Sequence, residues 1–85
     1  MKKLMIEIPE YNRNKGLEYI WENDFVISTV ANGKSIIISA NKEGLISLAK
    51  QILTLAEMPV EGHLHYDDIN SLEAGSIELV IDKIK

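Results

Sequence analysis

The chain has 85 residues, with 13 acidic and 9 basic side chains for a formal net charge of −4. Its 46% hydrophobic and 26% charged content is that of a folded domain rather than a disordered tract, and the absence of cysteine excludes disulfides, thiolate metal centres and cysteine nucleophiles. Net negative charge argues against a nucleic-acid partner, which requires a basic footprint, and no apolar run reaches the roughly 18 residues of a membrane span.

The length suits one domain, residues 1–85, with a single modest core. The opening Met-Lys-Lys-Leu is basic, but Glu7, Pro9 and Glu10 interrupt it before a signal-peptide apolar stretch develops, so a mature cytoplasmic N-terminus is expected. Leu4, Ile6 and Ile8 alternate with Met5 and Glu7, the period-2 pattern of a strand with one buried face. Pro9 ends it, and the polar residues 11–16 form a loop. Residues 17–21 read as a short second strand.

Residues 25–31 and 34–40 flank Asn32-Gly33, the strongest local signal for a hairpin. With both turn residues at positive φ, Ala31 falls opposite Lys34, Thr29 opposite Ile36, Ile27 opposite Ile38 and Phe25 opposite Ala40. The side holding Phe25, Ile27, Thr29, Ile36, Ile38 and Ala40 is the expected core face. Val26, Ser28, Val30, Ser35, Ile37 and Ser39 line the other side, whose mixed character suits a partner or a second copy.

A helix follows. Asn41 is suited to its N-cap, and Pro59 stops it by pushing the preceding residue out of the α region. Leu45, Leu48, Ala49, Ile52, Leu55 and Ala56 make the apolar stripe, with Glu43, Ser47, Lys50, Thr54 and Glu57 opposite. Residues 62–68 lead into a short strand, 70–75 turn, and Ile77, Leu79 and Ile81 alternate with Glu78, Val80 and Asp82 in a last strand. The expected fold is α+β, in the order β-β-β-β-α-β-β. It comprises a mainly antiparallel sheet of about five to six strands with one helix on one face.

The chemistry-bearing segment is His63-Leu64-His65-Tyr66-Asp67-Asp68. In an extended strand, residues two apart share a side, so His63, His65 and Asp67 would converge. Such a set could hold zinc or a non-haem metal for small-molecule binding or hydrolysis, although side chains of this kind more often line a rim and bond to backbone or water. Tyr66 is expected to be an exposed contact, and Trp21 mainly a packing residue. A Ser71, His65 and Asp67 grouping can be drawn, yet no serine stands in a nucleophile-elbow or oxyanion-loop context. Between Lys50 and Lys83 there is no lysine or arginine, while Glu57, Glu61, Asp67, Asp68, Glu73, Glu78 and Asp82 all lie there. This segregation gives the C-terminal third a negative field able to steer a basic partner.

Three stretches carry a family resemblance: Ala40-Asn41-Lys42-Glu43-Gly44-Leu45, the His-x-His-Tyr-Asp segment, and Leu72-Glu73-x-Gly75-Ser76. From about Trp21 onward the chain resembles the immunity protein 32 family of bacterial polymorphic toxin systems. The resemblance implies a small cytoplasmic, non-enzymatic protein, without cofactor, that neutralises a cognate toxin by direct binding. The physical reading places His63, His65, Tyr66, Asp67, Asp68 and Glu73 on the contact surface and allows a homodimer.

Overall fold

The structure, a computed structural model, describes Met1–Lys85 and contains five elements: β1 (Ile27–Asn32), β2 (Ser35–Ala40), α1 (Lys42–Glu57), β3 (Gly62–Tyr66) and β4 (Leu79–Lys83). It is an α+β fold, but the expected five to six strands in one sheet are not formed. There are four strands in two antiparallel pairs, β1 with β2 and β3 with β4. Alternation assigns faces to a segment, while a strand needs a neighbour whose backbone completes the ladder. Residues 4–8 have none, and Leu4 and Met5 are 73% and 97% exposed.

Residues 17–21 also lack a strand partner; side chains of α1 bond instead to backbone groups at Ile20 and the neighbouring Glu22. Gln51 Nε2 donates to the Ile20 carbonyl at 2.9 Å, and the Glu22 amide donates to Ser47 Oγ at 2.8 Å. Lys50 Nζ lies 3.4 Å from Glu22 Oε2. These bonds rotate the buried face of the helix away from the expected stripe. Ser47, Gln51 and Thr54 are buried beside Leu48 and Leu55, whereas Leu45 and Ile52 are 56% and 43% exposed. Buried polar side chains are tolerated here because each has a partner: Ser47 Oγ also donates to the Glu43 carbonyl, and Thr54 Oγ1 donates to the Lys50 carbonyl.

The helix starts and stops where expected. Asn41 is its N-cap, accepting from the Gly44 amide, and Met58, just before Pro59, leaves the helix in an extended conformation. Lys83 Nζ, reaching from β4, donates to the carbonyls of Ala56 and Met58, supplying a cation at the helix C-terminus. Gly44 permits the close seating of α1 on the first hairpin. A Cβ there would stand 2.5 Å from the Val26 carbonyl oxygen and 2.9 Å from Ile27 Cγ1.

The hairpin forms at Asn-Gly with a register two residues away from the expected one. Asn32 pairs with Ser35, Thr29 with Ile38 and Ile27 with Ala40. Gly33 and Lys34 are thus the two loop residues, and only Gly33 has positive φ (61°), the pattern of a type II′ rather than a type I′ turn. A shift of two residues preserves the faces, so Ile27, Thr29, Ile36, Ile38 and Ala40 still share one side. Only Ile27 and Thr29 are buried there; Ile36 and Ile38, 70% and 42% exposed, are not core residues.

The outer edge of β1 is covered by the approach to β4. The amides of Glu73 and Ile77 donate to the carbonyls of Ile27 and Thr29, and the Thr29 amide donates to Ser76 Oγ. This lacing joins the two strand pairs around one core of Ile27, Leu48, Leu55, Met58, Leu64, Tyr66 and Leu72. Leu79 and Ile81 of β4 pack against it, but Ile77, expected in the same strand, lies before β4 at 40% exposure, its amide taken by the Thr29 carbonyl of the first hairpin.

Candidate functional site

Strand β3 divides its side chains by parity. Leu64 and Tyr66 point into the core, at 1% and 0% exposure, so His63 and His65 project outward. Tyr66 is therefore not the exposed contact expected of it. Its ring packs edge-on against Tyr19 and Trp21, and its hydroxyl donates to Gln51 Oε1 at 2.7 Å. Burial, with Tyr19 adding to it, pushes the Tyr66 phenol well above its ordinary value, so it stays neutral and serves as a structural donor.

The two histidines lie side by side, ring centroids 4.5 Å apart and nearly perpendicular. Each has a carboxylate from β4 within reach: His63 Nδ1 is 3.9 Å from Asp82 Oδ1, and His65 Nδ1 is 3.6 Å from Glu78 Oε2. Register explains this placement, since His63 pairs with Asp82 and His65 with Val80, two residues from Glu78. The outer face of the β3–β4 pair thus carries two imidazoles against two carboxylates, all more than half exposed.

Asp67 does not join the histidines. The strand ends at Tyr66, and Asp67 Oδ1 accepts from the amides of Ile69 and Asn70, closing a turn. No three histidine, aspartate or glutamate side chains are grouped as ligands for a cation. Asp68 Oδ2 accepts from the Gly75 amide at 3.3 Å, and Glu73, further along the same loop, is exposed. Of the seven acids between Lys50 and Lys83, all except Asp67 are exposed.

Beside His65 lies an open cleft of about 330 Å³ lined by Tyr19, Trp21, His65, Asn70 and Ser71. Trp21 stacks on Phe25, with centroids 4.2 Å apart, and Tyr19 on Trp21 at 6.5 Å. The Tyr19 hydroxyl accepts from the His65 amide at 3.1 Å, which ties the aromatic wall to β3. Ser71 Oγ is buried without a hydrogen-bond partner. Trp21 packs against the core, as expected, and also forms part of this cleft.

Sequence reasoning left Tyr19, Asn70, Ser71, Glu78 and Asp82 out of the site. The first signal lay in Tyr19 and Trp21, two residues apart and hence on one side of an extended segment. Glu78 and Asp82 become site residues only through the β3–β4 register.

No curated protein and no solved structure matches the chain. The family profile described as Immunity protein 32 matches residues 35–84 and so takes in β2, α1, β3 and β4, more than half of the chain. The match begins after β1, leaving Tyr19 and Trp21 outside it, but it includes both histidines, their carboxylate neighbours and Gly44 of the helix. The chain belongs to the immunity protein 32 family.

Proposed function

We propose that this protein neutralises a cognate protein toxin by binding it in the cytoplasm, without catalysis of its own. Membership of an immunity-protein family carries this reading. The exposed acids of the C-terminal third supply its physical mechanism. Their field would favour a basic partner and raise the association rate, towards ~10⁸–10⁹ M⁻¹s⁻¹ at low salt, before short-range contacts form.

The contact surface is the outer face of β3–β4 with the adjoining loop: His63, His65, Asp67, Asp68 and Glu73, extended by Glu78 and Asp82. Lysine or arginine side chains of the partner would meet Glu78 and Asp82, and the cleft beside His65 would accept one projecting side chain between Tyr19 and Trp21. Aromatic walls next to a charged rim suit a binding anchor. Tyr66 contributes indirectly, by fixing the parity that turns both histidines outward.

The test is co-expression of this chain with the product of its neighbouring gene, scored for rescue of growth and for co-purification. Rescue with a stable complex is expected. Charge reversal of Asp68, Glu73 and Asp82 together should lower affinity at least tenfold, while reversal of Glu10 should leave it unchanged. Absence of both rescue and complex would overturn the reading, and an unchanged affinity in the triple variant would overturn the mapping.

A further inference from the structure

We infer that the free edge of β2 is a self-pairing surface, joining two copies of this chain through an antiparallel β2–β2 ladder about a two-fold axis at Ile37. The first observation is where the backbone groups of β2 point. A two-residue loop makes Asn32 and Ser35 a hydrogen-bonded pair, and the alternation of an antiparallel ladder makes Val30–Ile37 and Ser28–Ser39 hydrogen-bonded pairs as well. The Asn41 amide, donating to the Val26 carbonyl, continues that parity. Ala31–Ile36, Thr29–Ile38 and Ile27–Ala40 are then the intervening pairs, with amides and carbonyls directed away from the partner strand. On β1 those outward groups meet the segment before β4, through Ile27 and Thr29. On β2 the outward groups of Ile36 and Ile38 meet nothing within the chain.

The second observation is that this edge carries none of the usual protection. Natural edge strands are blunted by lysine, proline, bulges or a covering element. Strand β2 reads Ser-Ile-Ile-Ile-Ser-Ala, without a charge or proline, and its pairing with β1 is regular along all six residues. Ile36, Ile37 and Ile38 are 70%, 41% and 42% exposed, on both faces of the strand.

The third observation selects the occupant. Ser35-Ile36-Ile37-Ile38-Ser39 is a palindrome centred on Ile37. Under an antiparallel two-fold at that residue, Ile36 meets Ile38 of the second copy, Ser35 meets Ser39, and Ile37 meets itself. This is also a register the backbone allows, because Ile36 and Ile38 are the residues whose amides and carbonyls face outward. Lys34 falls opposite Ala40 of the second copy, so no like charges are opposed despite the net charge of −4. A strand from an unrelated protein would need no such symmetry. The product is a continuous four-stranded sheet, β1-β2-β2-β1, leaving the β3–β4 face of each copy open; it does not depend on toxin binding.

Sedimentation equilibrium of the full chain is expected to give twice the 9.6 kDa monomer mass, dissociating on dilution. Amide hydrogen exchange on the same samples should show Ile36 and Ile38 protected in the dimer and fast in the monomer. Ile38→Pro removes only an outward N–H, and Ile37→Lys sets two lysines against each other at the axis. Each should return the mass to one chain with the circular dichroism spectrum retained. A wild-type chain that stays monomeric at high concentration would overturn the proposal. So would a dimer in which the Ile36 and Ile38 amides exchange freely, since another face would then join the copies. If either variant fails to fold, the wild-type exchange pattern decides.

Discussion

Tyr66 and Gln51 share a 2.7 Å hydrogen bond in the interior, with the two residues 0% and 1% exposed. Gln51 is at the same time the donor to the Ile20 carbonyl, so one helix side chain ties β3 to the extended segment that forms the aromatic wall of the cleft. Tyr66→Phe keeps the ring and its edge contacts but leaves Gln51 Oε1 buried without a donor. Such a group costs about 1–3 kcal/mol, and an unfolding free energy lowered by that amount, with an earlier chemical-denaturation midpoint, is expected. An unchanged midpoint would mean that water or a rearranged Gln51 replaces the bond.

The same phenol makes stability sensitive to alkali. Its folded-state value is raised above the ordinary 10.0, so the neutral form is the one the fold favours. The sign follows: the contribution is complete below 10.0 and is lost as the pH climbs beyond it, because the unfolded chain releases the proton first. Between about pH 8 and about pH 11 the wild type should lose stability more steeply than Tyr66→Phe, as urea titrations at both pH values would reveal. Parallel losses would assign the alkaline sensitivity to other groups.

Gly44→Ala sets two effects against each other. Alanine is the better helix former by about 1 kcal/mol, yet its Cβ would stand within 2.5 Å of the Val26 carbonyl oxygen. Backbone does not yield as a flexible side-chain end does, and overpacking typically costs about 1–3 kcal/mol. Net destabilisation is expected in thermal unfolding, and a stabilised variant would show that helix and hairpin separate easily.

Asn41 holds more than the helix end. Its Oδ1 accepts from Gly44 at 2.8 Å and from Val26 at 2.9 Å, and its Nδ2 donates to the Asp24 carbonyl at 2.9 Å. Asp24 stands at a φ of 62°, in the left-handed region, so the side-chain bond also braces a turn few residue types adopt. Asn41→Ala should cost about 1–2 kcal/mol, near the upper end for a cap. Asn41→Asp retains the acceptor alone and should recover part of that loss; if it recovers all of it, the Asp24 bond contributes nothing.

If the partner is the basic toxin proposed above, its association should slow as salt is added. Raising ionic strength from about 0.01 to about 0.15 M shortens the Debye length from roughly 30 to 8 Å, which removes the long-range part of the acidic field. Stopped-flow fluorescence of Trp21, in the cleft wall, would follow it. A rate indifferent to salt would show that the acids do not steer the encounter.

Local chemistry made several features legible before any folding partner was known. Asn41 and Pro59 bound the helix, Asn32-Gly33 locates the hairpin, and the spacing of His63 and His65 puts both imidazoles on one side, because each effect acts within a few residues of backbone. The alternation in β4 is likewise a local property. Other features depend on which segment lies alongside. Leu4 and Ile6 alternate as strand residues do, but no strand edge reaches them. The buried helix face turned towards Ser47, Gln51 and Thr54 because the segment at Ile20 and Glu22 presents backbone groups that need partners. Tyr66 faces inward and the histidines outward because the core lies on that side of β3, and Glu78 and Asp82 meet the histidines through pairing across a 12-residue connection, from Asp67 to Glu78. Short-range preferences set the elements and their periodicity; long-range hydrogen bonding chose the faces, since a buried polar backbone group must be satisfied by whatever the rest of the chain brings to it.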